Sequence, residues 1–263
     1  MKLSPAGQLV GEVRHLERKT VEYFCLDQRS GAVLWEHLAF DEPWWIGIEE
    51  VLADRVYFHR YRKPDMPQHA GVIAVDILTG KILWENQGGT YAFAYGDEVY
   101  VTRQGFETLR YTALDAADGA VRRELSADDP RILAMRAELG AVDGFAGYAW
   151  PEPLNAMQPD WHEHSPLLAP HVDVANVRGT LDVLARNGIL LASWHESTGR
   201  EGFLDQHFLA VERPSGAVLF RDVLAADVQA STIDSFFVKD NLVLYVKNTD
   251  TLTAHTLPTA SAL

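Results

Sequence analysis

Four eleven-residue phrases recur along this 263-residue chain, and they restrict its fold more than any other feature. They are CLDQRSGAVLW (25–35), AVDILTGKILW (74–84), ALDAADGAVRR (113–123) and AVERPSGAVLF (210–220). An acid stands third in each (Asp27, Asp76, Asp115, Glu212) and a glycine seventh (Gly31, Gly80, Gly119, Gly216). The eleventh side chain is large: Trp35, Trp84, Arg123 or Phe220. Each phrase reads as a β-hairpin. The acid accepts hydrogen bonds from turn amides, and the glycine supplies the positive φ that a short connection of this kind needs.

Strand-like runs precede the hairpins: WWIGIEEV and DRVYFHRY before Gly80, TYAFAY and DEVYVTR before Gly119, TLDVLA and GILLASWHE before Gly216. Four short strands per unit form a small sheet that cannot bury both faces alone. Neighbouring units must therefore stack, with the eleventh side chain wedged between them. The expected fold is all-β, a β-propeller. The phrase resembles the tryptophan-docking repeat of the quinoprotein-type (PQQ-like) propellers; residues 74–84 carry Ala74, Asp76, Thr79, Gly80 and Trp84, and 25–35 carry Asp27, Ser30, Gly31 and Trp35. The tail TIDSFFVKDNLVLYVKNTDTLTAHTL (232–257) is also similar to the C-terminus of a small uncharacterised bacterial family. Quinoprotein dehydrogenases commonly hold their cofactor beside a vicinal disulfide. The single Cys25 excludes that feature, so no cofactor is carried over from the resemblance.

The interval from Gly119 to Gly216 is about twice the others. One propeller of six blades over 1–263 is expected, with a degenerate fourth blade at 126–177; five blades with a long insertion is the alternative. The C-terminal strands would be completed by N-terminal residues. Within 126–177, Asp129 as cap, Pro130 at the first helical position and Ile132, Met135 and Leu139 on one face predict a short helix near 130–139.

Ligand candidates follow from residue type. In DWHEHSPLLAPHVD (160–173), His162 and His164 would project to one side if extended, with Glu163, His171 and Asp173 nearby; His162, His164, His171 and Asp173 are metal-capable donors. Trp161 in that segment is expected to pack downward. Trp44 and Trp45 should face opposite sides of a strand, one entering the core and one lining a ligand mouth. Trp194 and His195 should alternate in the same way, with His195 a satisfied structural histidine. Glu49–Glu50 and Asp128–Asp129 read as solvated turns or a helix cap.

A formal charge of −14 disfavours nucleic acid and anionic membrane as partners. No segment approaches the roughly 18 apolar residues of a membrane helix, and the first residues lack a signal peptide's apolar run. One cysteine fits a reducing, cytoplasmic setting. No P-loop, Gly-x-Ser-x-Gly, Gly-x-Gly-x-x-Gly or Cys-x-x-Cys is present. The expected function is a non-enzymatic platform for a protein or small-molecule ligand. The alternative is a metal-assisted, lactonase-like hydrolase using 160–173.

Overall fold

A computed structural model describes residues 1–63, 66–105, 108–141, 146–155, 159, 161–231 and 235–258. The chain divides into two compact units, Met1–Asp143 and Gly144–Leu263. The first begins with a sheet of β1 (Lys2–Leu3), β2 (Gln8–His15), β3 (Thr20–Asp27) and β4 (Val33–Leu38). It continues with β5 (Ile46–Val51), β6 (Arg55–Lys63), β7 (Met66–Asp76) and β8 (Ile82–Asn86). A third meander follows, β9 (Thr90–Tyr95), β10 (Glu98–Gln104), β11 (Leu109–Asp115) and β12 (Val121–Ser126), then helix α1 (Pro130–Ala141). A single parallel pairing, Gly71 with Thr90, joins the second and third meanders.

The second unit holds β13 (Tyr148–Ala149), β14 (Glu152–Leu154), helix α2 (Trp161–Leu168), β15 (Leu181–Arg186), β16 (Ile189–Ser197), β17 (Leu204–Glu212) and β18 (Val218–Val228). β19 (Phe237–Lys239), β20 (Leu242–Lys247) and β21 (Thr251–Thr256) complete it. β14 to β18 form one antiparallel sheet, and β13 pairs with β19 at the edge of the other. The expected N-terminal completion of the C-terminal strands is therefore corrected. β1 stays with β2, and Tyr148–Ala149 supplies the fourth strand instead. Residues 126–177 yield two helices and two short edge strands among the described residues, with no four-stranded sheet of their own. No helix among the described residues is long and apolar enough to cross a membrane.

Every hairpin phrase folds alike. The glycine amide donates to the carbonyl of the acid at 2.8–2.9 Å in all four, and the glycines have φ of +68° to +73°. Asp76 Oδ1 accepts Leu78 N, Thr79 N and Thr79 Oγ1 at 3.1, 2.8 and 2.7 Å, and Asp27 repeats this with Arg29 and Ser30. The indoles then explain the period. Trp35 Nε1 donates to the Ile77 carbonyl at 2.8 Å, and its ring lies where a Cβ on Gly80 would come within 2.9 Å. Trp84 does the same one unit on, donating to the Ala116 carbonyl at 2.9 Å and covering Gly119.

The series stops where the tryptophan is lost. Arg123 grips the carboxylate of Glu98 with both Nη atoms, at 2.7 and 2.5 Å, and also reaches the Tyr100 hydroxyl. Phe220 stacks on His255 at 4.1 Å, while the Gly216 turn faces Leu167 of α2. Apolar side chains fill the space between successive sheets. Tyr23, Phe58 and Ile73 belong to the cluster between the first two meanders, Val72, Trp84 and Val99 to the next, and Ile132 and Met135 seat α1 on the third.

Candidate functional site

Strands β5, β6 and β7 bring one carboxylate and two imidazoles together on a single sheet face. His59 pairs across β5 with Gly47, and its ring lies over that glycine; a Cβ there would be 2.9 Å from the imidazole. Between Ile48 and Glu50 the register slips by one residue, so Glu49 is the unpaired residue of a β-bulge. A bulge re-aims the side chain it carries, and here it turns Glu49 toward its neighbours. From β7, His69 stands opposite Tyr61. The His59 and His69 rings stack 3.4 Å apart and 7° from parallel. Their Nδ1 atoms lie 2.7 and 2.8 Å from the same Glu49 Oε2.

Electrostatics sharpen this arrangement. Burial opposes ionisation of Glu49, but contact with His59 and His69 outweighs it and holds the carboxyl below its ordinary value. Burial raises the neighbouring Glu50, whose carboxylate receives the Tyr91 hydroxyl. Lys2 Nζ donates to the Glu49 carbonyl at 2.5 Å. Tyr61 stands edge-on to both imidazoles, at 5.1 and 5.4 Å. His59 is buried, and neither ring nitrogen has an aligned hydrogen-bond partner among the described residues. Such an orphaned buried group costs about 1–3 kcal/mol in an ordinary core.

His69 also lines a cleft of about 860 Å³, together with Arg62, Gln68, Gly88, Gly89 and Arg103. The cleft opens where β7 and β9 part after the Gly71–Thr90 pairing. Gly71 sits at φ +71° and donates to the Gly89 carbonyl at 2.7 Å, which fixes the Gly88–Gly89 loop as one wall. Gly88 leaves room for the Arg103 guanidinium, which a Cβ would meet at 2.5 Å. Among the described residues, neither Arg62 nor Arg103 is within ion-pair distance of a carboxylate.

The sequence-predicted ligand residues lie elsewhere, with one exception. Trp45 is exposed and meets Tyr61 edge-on at 6.0 Å, so it borders the histidine cluster. Trp44 carries Arg14 and Lys19 over its ring at 5.1 and 4.9 Å. Both precede β5 and neither is in a core cluster, which corrects the expectation that one would be. Trp161 packs against the apolar cluster of the second unit. His162 and His164 are on α2 and not in an extended segment; two residues along a helix turn them about 200° apart. Pro166 has no amide to give the His162 carbonyl, and Ser165 Oγ reaches it at 3.4 Å instead.

Glu163 is exposed and pairs with Arg213 at 3.3 Å. His171 N donates to the Leu168 carbonyl, and Asp173 accepts Ala175 N and Asn176 Nδ2. Among the described residues the donor atoms of His162, His164, His171 and Asp173 do not converge as a metal-sized group, whereas those of Glu49, His59 and His69 do. Asp160 lies outside the described residues. His195 is buried on β16, and burial keeps its imidazole below the ordinary value. Trp194 enters the apolar cluster beside it. Glu49 and Glu50 are half-buried strand residues, a correction to their reading as a solvated turn.

Comparison with known proteins comes from three directions. A family model described as Domain of unknown function (DUF4905) matches residues 4–84, a span that contains the first two repeats and Glu49, His59 and His69. The tail at 232–257 lies outside that match. No curated protein sequence matches the chain. Among solved structures, a europium-containing methanol dehydrogenase is 12% identical at a TM-score of 0.30, over 95% of this chain and 49% of that one. This chain thus spans about half the length of that enzyme. Chaetomium thermophilum Sqt1 bound to the N-terminus of ribosomal protein L10 is 9% identical at 0.27, over 94% and 57%. The Dos1 propeller is 10% identical at 0.27, over 97% and 71%.

Proposed function

We propose that the chain is a binding module built from propeller-type blades, and that the cleft of its first unit takes a small anionic ligand. Support for the blades comes from the repeated hairpin and from indoles that dock forward from unit to unit. Five sheet units among the described residues, four of four strands and β14–β18 of five, favour the five-blade count over six. One observation carries the ligand class. Arg62 and Arg103, both exposed, face a cleft of about 860 Å³ without a carboxylate partner among the described residues, in a chain of net charge −14. Guanidinium groups left for a ligand suit carboxylate or phosphate oxygens. Gln68 and Gln87 add neutral donors on the same walls.

Calorimetric titration with inorganic phosphate, citrate and a nucleoside monophosphate tests the reading. At least one should bind saturably, more tightly at low salt, and Arg62→Ala with Arg103→Ala should weaken it about tenfold or more. Failure of all three anions to bind, or binding unchanged in the double variant, would overturn it.

A further inference from the structure

We infer that Glu49, His59 and His69 form a binding site for a divalent transition-metal ion of the zinc type. Their donor atoms all lie within 4.8 Å of one another. Two imidazoles with one carboxylate suit zinc, iron(II), cobalt(II) or manganese(II), and leave positions open; calcium and magnesium prefer all-oxygen sites. His59 supplies the decisive geometry. Its Nδ1 is 2.7 Å from Glu49 Oε2, yet its N–H direction misses that oxygen, and the side chain is only 6% exposed. A buried ring nitrogen of this kind lacks any ordinary satisfaction in the core.

A tetrahedral zinc ion with ligands at about 2.1 Å sets donor–donor edges of about 3.4 Å. The two rings are stacked, with centroids 3.4 Å apart and planes 7° from parallel, so the more exposed His69 must swing out of the stack to aim its lone pair at a shared ion, and the Glu49 oxygen must retreat from 2.7–2.8 Å to that edge. The site is built from below as well. Gly47 makes room for the His59 ring, the β5 bulge aims Glu49, and Tyr61 walls the pair of imidazoles. His69, about a third exposed, carries the open side into the cleft. An ion held there would face Arg62 and Arg103, although the metal site stands without any reading of the anionic ligand.

The test uses the full chain, stripped by chelator, then given Zn²⁺ or Co²⁺ alone with no anion under study. One ion per chain is expected by elemental analysis, with cobalt bands in the visible spectrum showing nitrogen and oxygen ligation. His69→Ala and Glu49→Gln should each weaken binding tenfold or more, with far-ultraviolet circular dichroism unchanged. His162→Ala with His164→Ala should leave it intact. X-ray absorption of the zinc-loaded native chain serves if those variants fail to fold, and should report two imidazoles. Absence of stoichiometric Zn²⁺ at ten-micromolar free metal, binding that survives in folded His69→Ala, or fewer than two imidazoles would each overturn the site.

Discussion

Gly31 and Gly80 share a backbone, with φ of +70° and +68°, and differ in what covers them. A Cβ on Gly31 would meet nothing within 4 Å among the described residues, whereas one on Gly80 would press into the Trp35 ring at 2.9 Å. Replacing either by alanine brings the strain of positive φ, about 1 kcal/mol. Gly80→Ala must also push a buried indole aside, adding roughly 1–3 kcal/mol. Urea unfolding of the two variants should separate them by that margin, with similar slopes; equal midpoints would mean that the docked ring carries no load at that turn. The turns themselves were legible, because an acid and a glycine four residues apart prescribe both the hydrogen bonds and the sign of φ. The metal-type cluster was not. Glu49 reads as half of an acidic pair, and only the bulge in β5 makes it different from Glu50.

Each indole works as a fastener between hairpins, and its pyrrole nitrogen is half of the joint. In Trp84→Phe the ring volume is largely kept, but the Ala116 carbonyl loses its donor. The expected loss is about 1–3 kcal/mol, read from chemical denaturation, because a buried carbonyl is left unpaired. A change within experimental error would mean that packing alone holds the third turn. Local pattern foretold the strands on either side and α1, whose Ile132 and Met135 are buried as their spacing required. It did not foretell α2, where prolines at 159 and 166 and the run of histidines read as irregular chain. Nor could it bring His59 to His69. That meeting depends on cross-strand register, set by bulges in β5 and β7 and invisible in the spacing of either residue.

Across the whole molecule, the turn acids tie stability to pH. Hydrogen bonds from Thr79 hold Asp76 below its ordinary 3.8, Ser30 does the same for Asp27, and the Ala117 amide for Asp115. Asp129, bonded to Arg131 at the start of α1, is lowered to about 2. A carboxyl depressed by folding stabilises the native state above its unfolded value and loses that contribution as pH falls through the folded one. The loss should therefore fall between about pH 4, the ordinary carboxyl value, and about pH 2, that of folded Asp129. Thermal melts across that range should show it, with a shallower decline in Asp76→Asn; parallel declines would exclude the turn acid as a source. The indoles also give the array a direction. Like roof tiles, each overlaps the one that follows, which leaves an uncovered landing at Gly31 and no hook at Arg123. A duplicated tile laid ahead of the first would find its fastening ready-made, whereas one added behind the third would need a new tryptophan before it could grip.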